Sequence, residues 1–273
     1  MSAPEGSEVA TAAAVAVRDV PALAVREIEV RFGGVTAVSN VSIDVEPGYV
    51  TGLIGPNGAG KTTLFNVITG LQTPTAGRVY LGNDDVTGVK PHKRARRGLA
   101  RTFQRLEVFG SLTARENILV AAEAQSGWSS NRHEAAVLTE GILAKVGLRE
   151  VAEEPVDSMP TGLARLVELG RAMATKPSVL LLDEPSSGLD DNESDGLGDL
   201  LEDLAADGMA VLLVEHDVDL VMRVCRDIYV LDFGRLIAHG PPAVIRADEA
   251  VQAAYLGAES DALEIAAGEG MPI

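Results

Sequence analysis

The chain is poor in thiols, in positive charge and in long apolar runs. Its single cysteine, Cys225, rules out a disulfide within the chain. Nothing beside that cysteine suggests a nucleophile or a metal site, so it reads as a packed helix residue. Forty acidic residues face only 23 basic ones, and the net charge of −17 argues against nucleic acid or an anionic lipid surface as the main partner. The longest apolar stretches, such as Val179–Leu182, have strand length and are far too short to cross a bilayer. Residues 1–22 lack the basic start of a secretion signal and read as a disordered tail. These absences leave a soluble, cytoplasmic chain, and its 273 residues suffice for one large or two modest domains. One segment departs from the acidic background, Lys90-Pro-His-Lys-Arg-Ala-Arg-Arg97. It is either a solvated helix start with its basic residues outward or a contact with a partner surface.

The patterning alternates between strand and helix. Leu23–Arg31 and Val41–Val45 alternate in strand fashion around a turn at Phe32-Gly-Gly34, and Val50–Ile54 is continuously apolar, as a buried parallel strand would be. Gly77–Leu81 resembles a further short strand. From about 91 to 156 the spacing turns helical, notably over Glu116–Ala124 and Ala135–Val146, with Gln125–His133 as a surface loop around the lone Trp128. Helices over Leu163–Ala174, Glu193–Ala206 and Val218–Cys225 then alternate with strands over Val179–Asp183 and Met209–Val214. A strand pair follows over Ile228–Asp232 and Arg235–His239, then a helical segment over Pro241–Leu256. The expectation is an α/β core interrupted by a helical insertion, ordered over 23–257, with 258–273 a flexible tail.

Residues Gly55-Pro56-Asn57-Gly58-Ala59-Gly60-Lys61-Thr62-Thr63 form a complete phosphate loop between a strand and a helix. Glycines at 55, 58 and 60 let successive N–H groups turn inward around an anion, and the following helix adds its positive dipole end. Lys61 is placed to reach the β- and γ-phosphates, and the Thr62 hydroxyl to hold Mg2+. This pattern implies a nucleoside triphosphate, the other reading being a chance Gly-rich turn. A second signal is Val179-Leu-Leu-Leu-Asp-Glu-Pro185, an apolar strand that delivers two acids to the carboxyl edge of the sheet. Asp183 suits Mg2+ and Glu184 suits a general base on the attacking water, unless the pair merely opens a loop. His216 ends another apolar run, Met209–Glu215, where a structural role and a γ-phosphate contact are both open.

Together these segments resemble the nucleotide-binding subunits of ATP-binding cassette (ABC) transporters, over roughly residues 23–257. The resemblance implies a P-loop NTPase cassette with a RecA-like α/β core, an antiparallel β subdomain and an inserted helical subdomain at about 91–156. It implies ATPase activity with ATP and Mg2+. It places the glutamine loop at Gln104, which touches the metal, the D-loop at Ser187–Asp190 with Asp190 at a dimer interface, the switch histidine at His216, and an adenine-stacking ring at Phe32. The signature segment departs from the family's Leu-Ser-Gly-Gly-Gln: the aligned residues are Met159-Pro-Thr-Gly-Leu163, and only Gly162 survives. Pro160 supplies neither a hydroxyl nor an N–H, so this subunit is expected to form the weaker cap of an asymmetric pair.

Arg31–Val38, Arg101–Arg105, Leu112–Ile118 and Ala253–Gly257 are similar to the LivG-type branched-chain amino acid importers, and urea and short-amide importers share much of this pattern. The resemblance implies a peripheral position on the inner face of the membrane. Its partners would be two integral membrane permeases, a second LivF-like ATPase or another copy of this chain head-to-tail, an extracytoplasmic solute-binding protein acting indirectly, and no nucleic acid. The permease contact would lie after Gln104, through Phe109 and Thr113. A soluble ABC protein of translation or repair usually has two cassettes or a long coiled-coil insertion, and this chain has neither. The other alternative is a scaffold that binds ATP but barely hydrolyses it.

Overall fold

A computed structural model describes residues 20–126 and 132–255. Strand β1 (Leu23–Phe32) pairs antiparallel with β2 (Val35–Val45) and with β4 (Ala76–Leu81), and the short β5 (Asp84–Asp85) completes a four-stranded sheet in the order β2-β1-β4-β5. The second sheet runs β10 (Arg235–Gly240), β9 (Asp227–Asp232), β3 (Val50–Ile54), β8 (Ala210–Val214), β7 (Val179–Asp183), β6 (Leu99–Arg101). All its pairings are parallel except β9 with β10.

Strands β3, β7 and β8 are buried along their whole length, which explains their unbroken apolar sequence. Their side chains alternate between two cores. Leu180, Leu182, Val211 and Leu213 join the helices on one face, whereas Val179, Leu181, Leu212 and Val214 meet the antiparallel sheet and α1 (Lys61–Thr69) on the other. Period-two geometry sends neighbours to opposite faces.

Helix α2 (Pro91–Ala95) precedes β6. Helices α3 (Ala114–Ser126), α4 (Arg132–Lys145) and α5 (Thr161–Ala174) pack against one another as a helical subdomain. Helix α6 (Asp191–Ala206) opens on a capping box, with Asp190 accepting from the Glu193 backbone and Glu193 from that of Asp190. The short helices α7 (Val218–Val224) and α8 (Pro242–Ala247) follow β8 and β10.

The structure corrects three expectations. The helical insertion does not begin at 91, because Leu99–Arg101 is a strand registered on Val179–Leu181 at the sheet edge. Three residues beside a basic run are too few for alternation to be read. The segment 90–97 is not uniformly solvated either. Arg94 is fully buried, and it donates from Nε to the Val89 carbonyl, from one terminal nitrogen to Val67 and Ile68, and from the other to Thr87. Burial pushes its pKa down to about 10. The helix expected over 241–256 is broken at Asp248, whose carboxylate accepts from the Ala250 and Val251 amides and starts a new helical stretch at 249–255. Cys225 lies buried at the end of α7, as the sequence suggests. The expected tails, apart from residues 20–22 of the first, and the loop residue Trp128 lie outside the described residues.

Candidate functional site

The phosphate loop leaves β3 at its carboxyl end and enters α1 through Gly60. Two glycines are compulsory there. Gly55 has φ 151° and a side chain on it would strike the Leu231 carbonyl, while Gly60 has φ 105° and faces the Ala37 carbonyl. The loop is therefore wedged between the β1–β2 hairpin and the β9–β10 turn, where the Gly234 amide donates to the Ala59 carbonyl. Lys61 lies across the loop and donates to the carbonyls of Gly55 (2.5 Å) and Pro56 (3.1 Å). Its pKa is lowered by burial, against the opposing pull of Glu184 and Asp183.

Above the loop opens a cavity of about 300 Å³. It is lined by Asn57 through Thr63, by Ala37 and Val214, and by Gln104 and Glu184. Glu184 is gripped on both sides. Its Oε1 lies 2.6 Å from Nε2 of His216, a contact that needs one proton between them, and its Oε2 accepts from Gln104 Nε2 at 3.2 Å. The backbone of Glu184 is itself unusual, with φ 52° in the left-handed region. That conformation costs a residue with a Cβ about 1–2 kcal/mol. Its amide is fixed by the Val214 carbonyl of the neighbouring strand end.

Of the sequence-derived residues, Asn57 through Thr63, Gln104 and Glu184 line this cavity, Gly55 and Pro56 begin its loop, and His216 joins it through Glu184. Asp183 does not line the cavity. It is buried, and its Oδ2 accepts from Arg101 at 2.8 Å. Phe32 is half exposed at the end of β1 and does not line the cavity. Gly162 and Asp190 lie elsewhere, against each other's segments. A Cβ on Gly162 would come within 2.6 Å of Leu189 and 3.0 Å of the Glu193 carboxylate. That fit accounts for glycine there within the chain itself.

Four charged residues support this site although no motif marked their roles. Buried Glu215 accepts from the Ser186 and His216 amides, so one carboxylate joins the loops after β7 and β8. Glu168 on α5 accepts from the amides of Phe103 and Glu107, and Arg165 donates to the carbonyls of Phe103 and Gln104. Arg171, one turn further, donates to the Glu107 carbonyl and lies over the Phe109 ring. The segment that carries Gln104 is thus clamped to α5. Burial raises the pKa of Glu168, with those two amides and Arg165 pulling the other way.

A parallel α/β sheet with a phosphate loop at its carboxyl edge, and acid, amide and imidazole side chains around the same cavity, defines a nucleotide-hydrolysing P-loop protein. Residues 38–187 match the family model described as ABC transporter, and residues 235–261 match that described as Branched-chain amino acid ATP-binding cassette transporter. The high-affinity branched-chain amino acid transport ATP-binding proteins BraF of Pseudomonas aeruginosa and LivG of Escherichia coli are each 39% identical over 250 residues, covering 87% of this chain and 98% of theirs. Among solved structures, a nucleotide-free ATP-binding cassette from an ABC transporter aligns with a TM-score of 0.75 at 30% identity, over 85% of this chain and 98% of that one. The chain belongs to the ABC transporter family and is an ATPase of the ATP-binding cassette class.

Proposed function

We propose that this chain is the ATP-hydrolysing subunit of an importer for branched-chain amino acids, attached to the inner face of the membrane through two permease subunits. The cargo reading is supported by the names of BraF and LivG and by the second family match over 235–261. Among the described residues, no helix is long and apolar enough to cross a membrane.

The observation that carries the catalytic reading is Glu184 held between Gln104 and His216 at the mouth of the phosphate loop. Lys61 and the amides of 58–63 bind the phosphates of ATP, and Phe32 meets the adenine ring from the β1 end. Glu184 receives the proton of the attacking water, and His216 orients the γ-phosphate and the acid together. Each oxygen of Glu184 carries one contact, to His216 on Oε1 and to Gln104 on Oε2, and each keeps a second lone pair that can accept from the attacking water.

The donor set of Thr62, Gln104 and Asp183 suits Mg2+. Among the described residues no three acids, histidines or cysteines converge on a site of their own, and Mg2+ is usually held by one or two protein oxygens, waters and phosphates. When bound, the ion neutralises charge building on the phosphate oxygens. In a head-to-tail pair with a second cassette, LivF-like or another copy, Gly162 at the start of α5 and Asp190 lie at the interface. Pro160 stands at the N-cap of α5 and offers the partner's nucleotide neither a hydroxyl nor an N–H, which supports the reading of a weaker cap on that nucleotide.

Permease contact falls on an apolar groove of about 330 Å³ between the core and α5, lined by Leu71, His92, Phe103 and Thr175 among others. Phe109, six residues on from Phe103, is exposed. Thr113 is otherwise engaged, in a reciprocal capping box with Glu116 at the start of α3.

The test is uptake of labelled leucine, isoleucine and valine, and separately of urea, in cells deleted for this chain and complemented with wild type or Glu184→Gln. Restoration of branched-chain uptake by wild type alone is expected. Restoration of urea uptake only would transfer the chain to the amide importers.

A further inference from the structure

We propose that Arg101, at the end of β6, is a positioning residue for the metal-binding carboxylate of Asp183. The proposal rests on the reading above that Asp183 serves the Mg2+ site. Both partners of the ion pair are more than nine-tenths buried, and the guanidinium reaches Oδ2 at 2.8 Å. Its other terminal nitrogen donates to Asn66 Oδ1 at 2.8 Å, on α1 five residues after Lys61. The guanidinium lies over two rings, 5.2 Å from the centre of Phe65 and 4.9 Å from that of Phe103. Its two terminal nitrogens are bonded, and Nε is buried without a partner.

The backbone at Asp183 is fixed from the same strand end, since its amide donates to Thr102 Oγ1. Asp183 is thus located through main chain and side chain alike by the end of β6 and the residue after it, and Gln104 follows β6 three residues later. A carboxylate at this depth is costly without a counter-charge. Arg101 supplies that charge, engages one oxygen and leaves Oδ1 to meet a metal or its water shell. Lysine could not reproduce the arrangement, because a single ammonium lacks the planar fork that spans Asp183 and Asn66 beside the two rings. Groups that hold a metal ligand from behind typically affect metal affinity by about 10–100-fold.

The experiment is a titration of the full chain with Mn2+ in the presence of ADP, followed by electron paramagnetic resonance. In parallel, a fluorescent ADP analogue is bound in EDTA to measure nucleotide affinity without metal. Arg101→Met keeps the length and the ring contacts. It is expected to weaken Mn2+ binding about tenfold while nucleotide affinity in EDTA stays unchanged, and Arg101→Lys is expected to fall between. A merely structural arginine would lower both affinities together, and that result overturns the proposal, as does Mn2+ affinity within twofold of wild type. If the methionine variant does not fold, the lysine variant decides by the same two readouts. Asp183→Asn separates the levels. If it leaves Mn2+ affinity unchanged, the metal assignment of Asp183 falls and the role of Arg101 falls with it. If it weakens binding while the Arg101 variants do not, only the role of Arg101 is lost.

Discussion

At the residue scale the assignments hinge on Glu184. A general base contributes about 10²–10⁴-fold, so Glu184→Gln should cut the ATPase rate of the assembled complex by that range. ATP affinity, measured by equilibrium binding, should change by less than a few-fold. Equal hydrolysis rates would remove the general-base assignment of Glu184. Lys61 and its loop were legible in the sequence because the whole motif is nine consecutive residues whose chemistry requires that order. Glu184 and His216 were legible because each ends an apolar strand. Arg101, Glu168 and Glu215 were not, since their partners stand 82, 65 and 29 positions away in the chain. Only folding sets those pairs side by side, and one-dimensional spacing carries no trace of it.

At the element scale, Arg94 joins α1 to the β4–β5 region. Its donations to Val67 and Ile68 reach carbonyls in the last turn of α1, where positive charge is favoured. Arg94→Met should leave several acceptors without a donor and cost about 3 kcal/mol, read as a lower denaturant midpoint at unchanged slope. The clamp between α5 and the segment 103–107 makes a different prediction. Because the pKa of Glu168 is raised on folding, the folded state holds a proton that the unfolded state has already released. Stability should therefore fall as pH rises from the ordinary carboxyl value of 4.5 through the raised one, and level off above it. Glu168→Gln keeps an acceptor for the two amides and should flatten that slope in a plot of Tm against pH. Helices and central strands were readable because their apolar periods are long. Strand β6 was not, and the outward reading of the basic run missed that one of its arginines turns inward.

At the scale of the whole molecule, the two cores meet through one sheet, and ligand binding to that sheet's edge should stabilise all of it. A nucleotide present at 100 times its dissociation constant adds about 2.7 kcal/mol to the folded state. For a fold of this size that corresponds to a Tm increase of roughly 5–10 °C. Calorimetry with and without Mg2+ and ADP would show it, and the increase should be smaller for Lys61→Ala. Cys225 carries a practical consequence for such work. Its thiol is buried and its pKa is pushed up to about 12. A thiol of that kind holds almost no thiolate at neutral pH and should ignore maleimide and methanethiosulfonate reagents. Pairs of cysteines introduced on α4 and α6 can then be labelled in the otherwise native chain. Distances between the helical subdomain and the core would be read by spectroscopy without first removing a native cysteine.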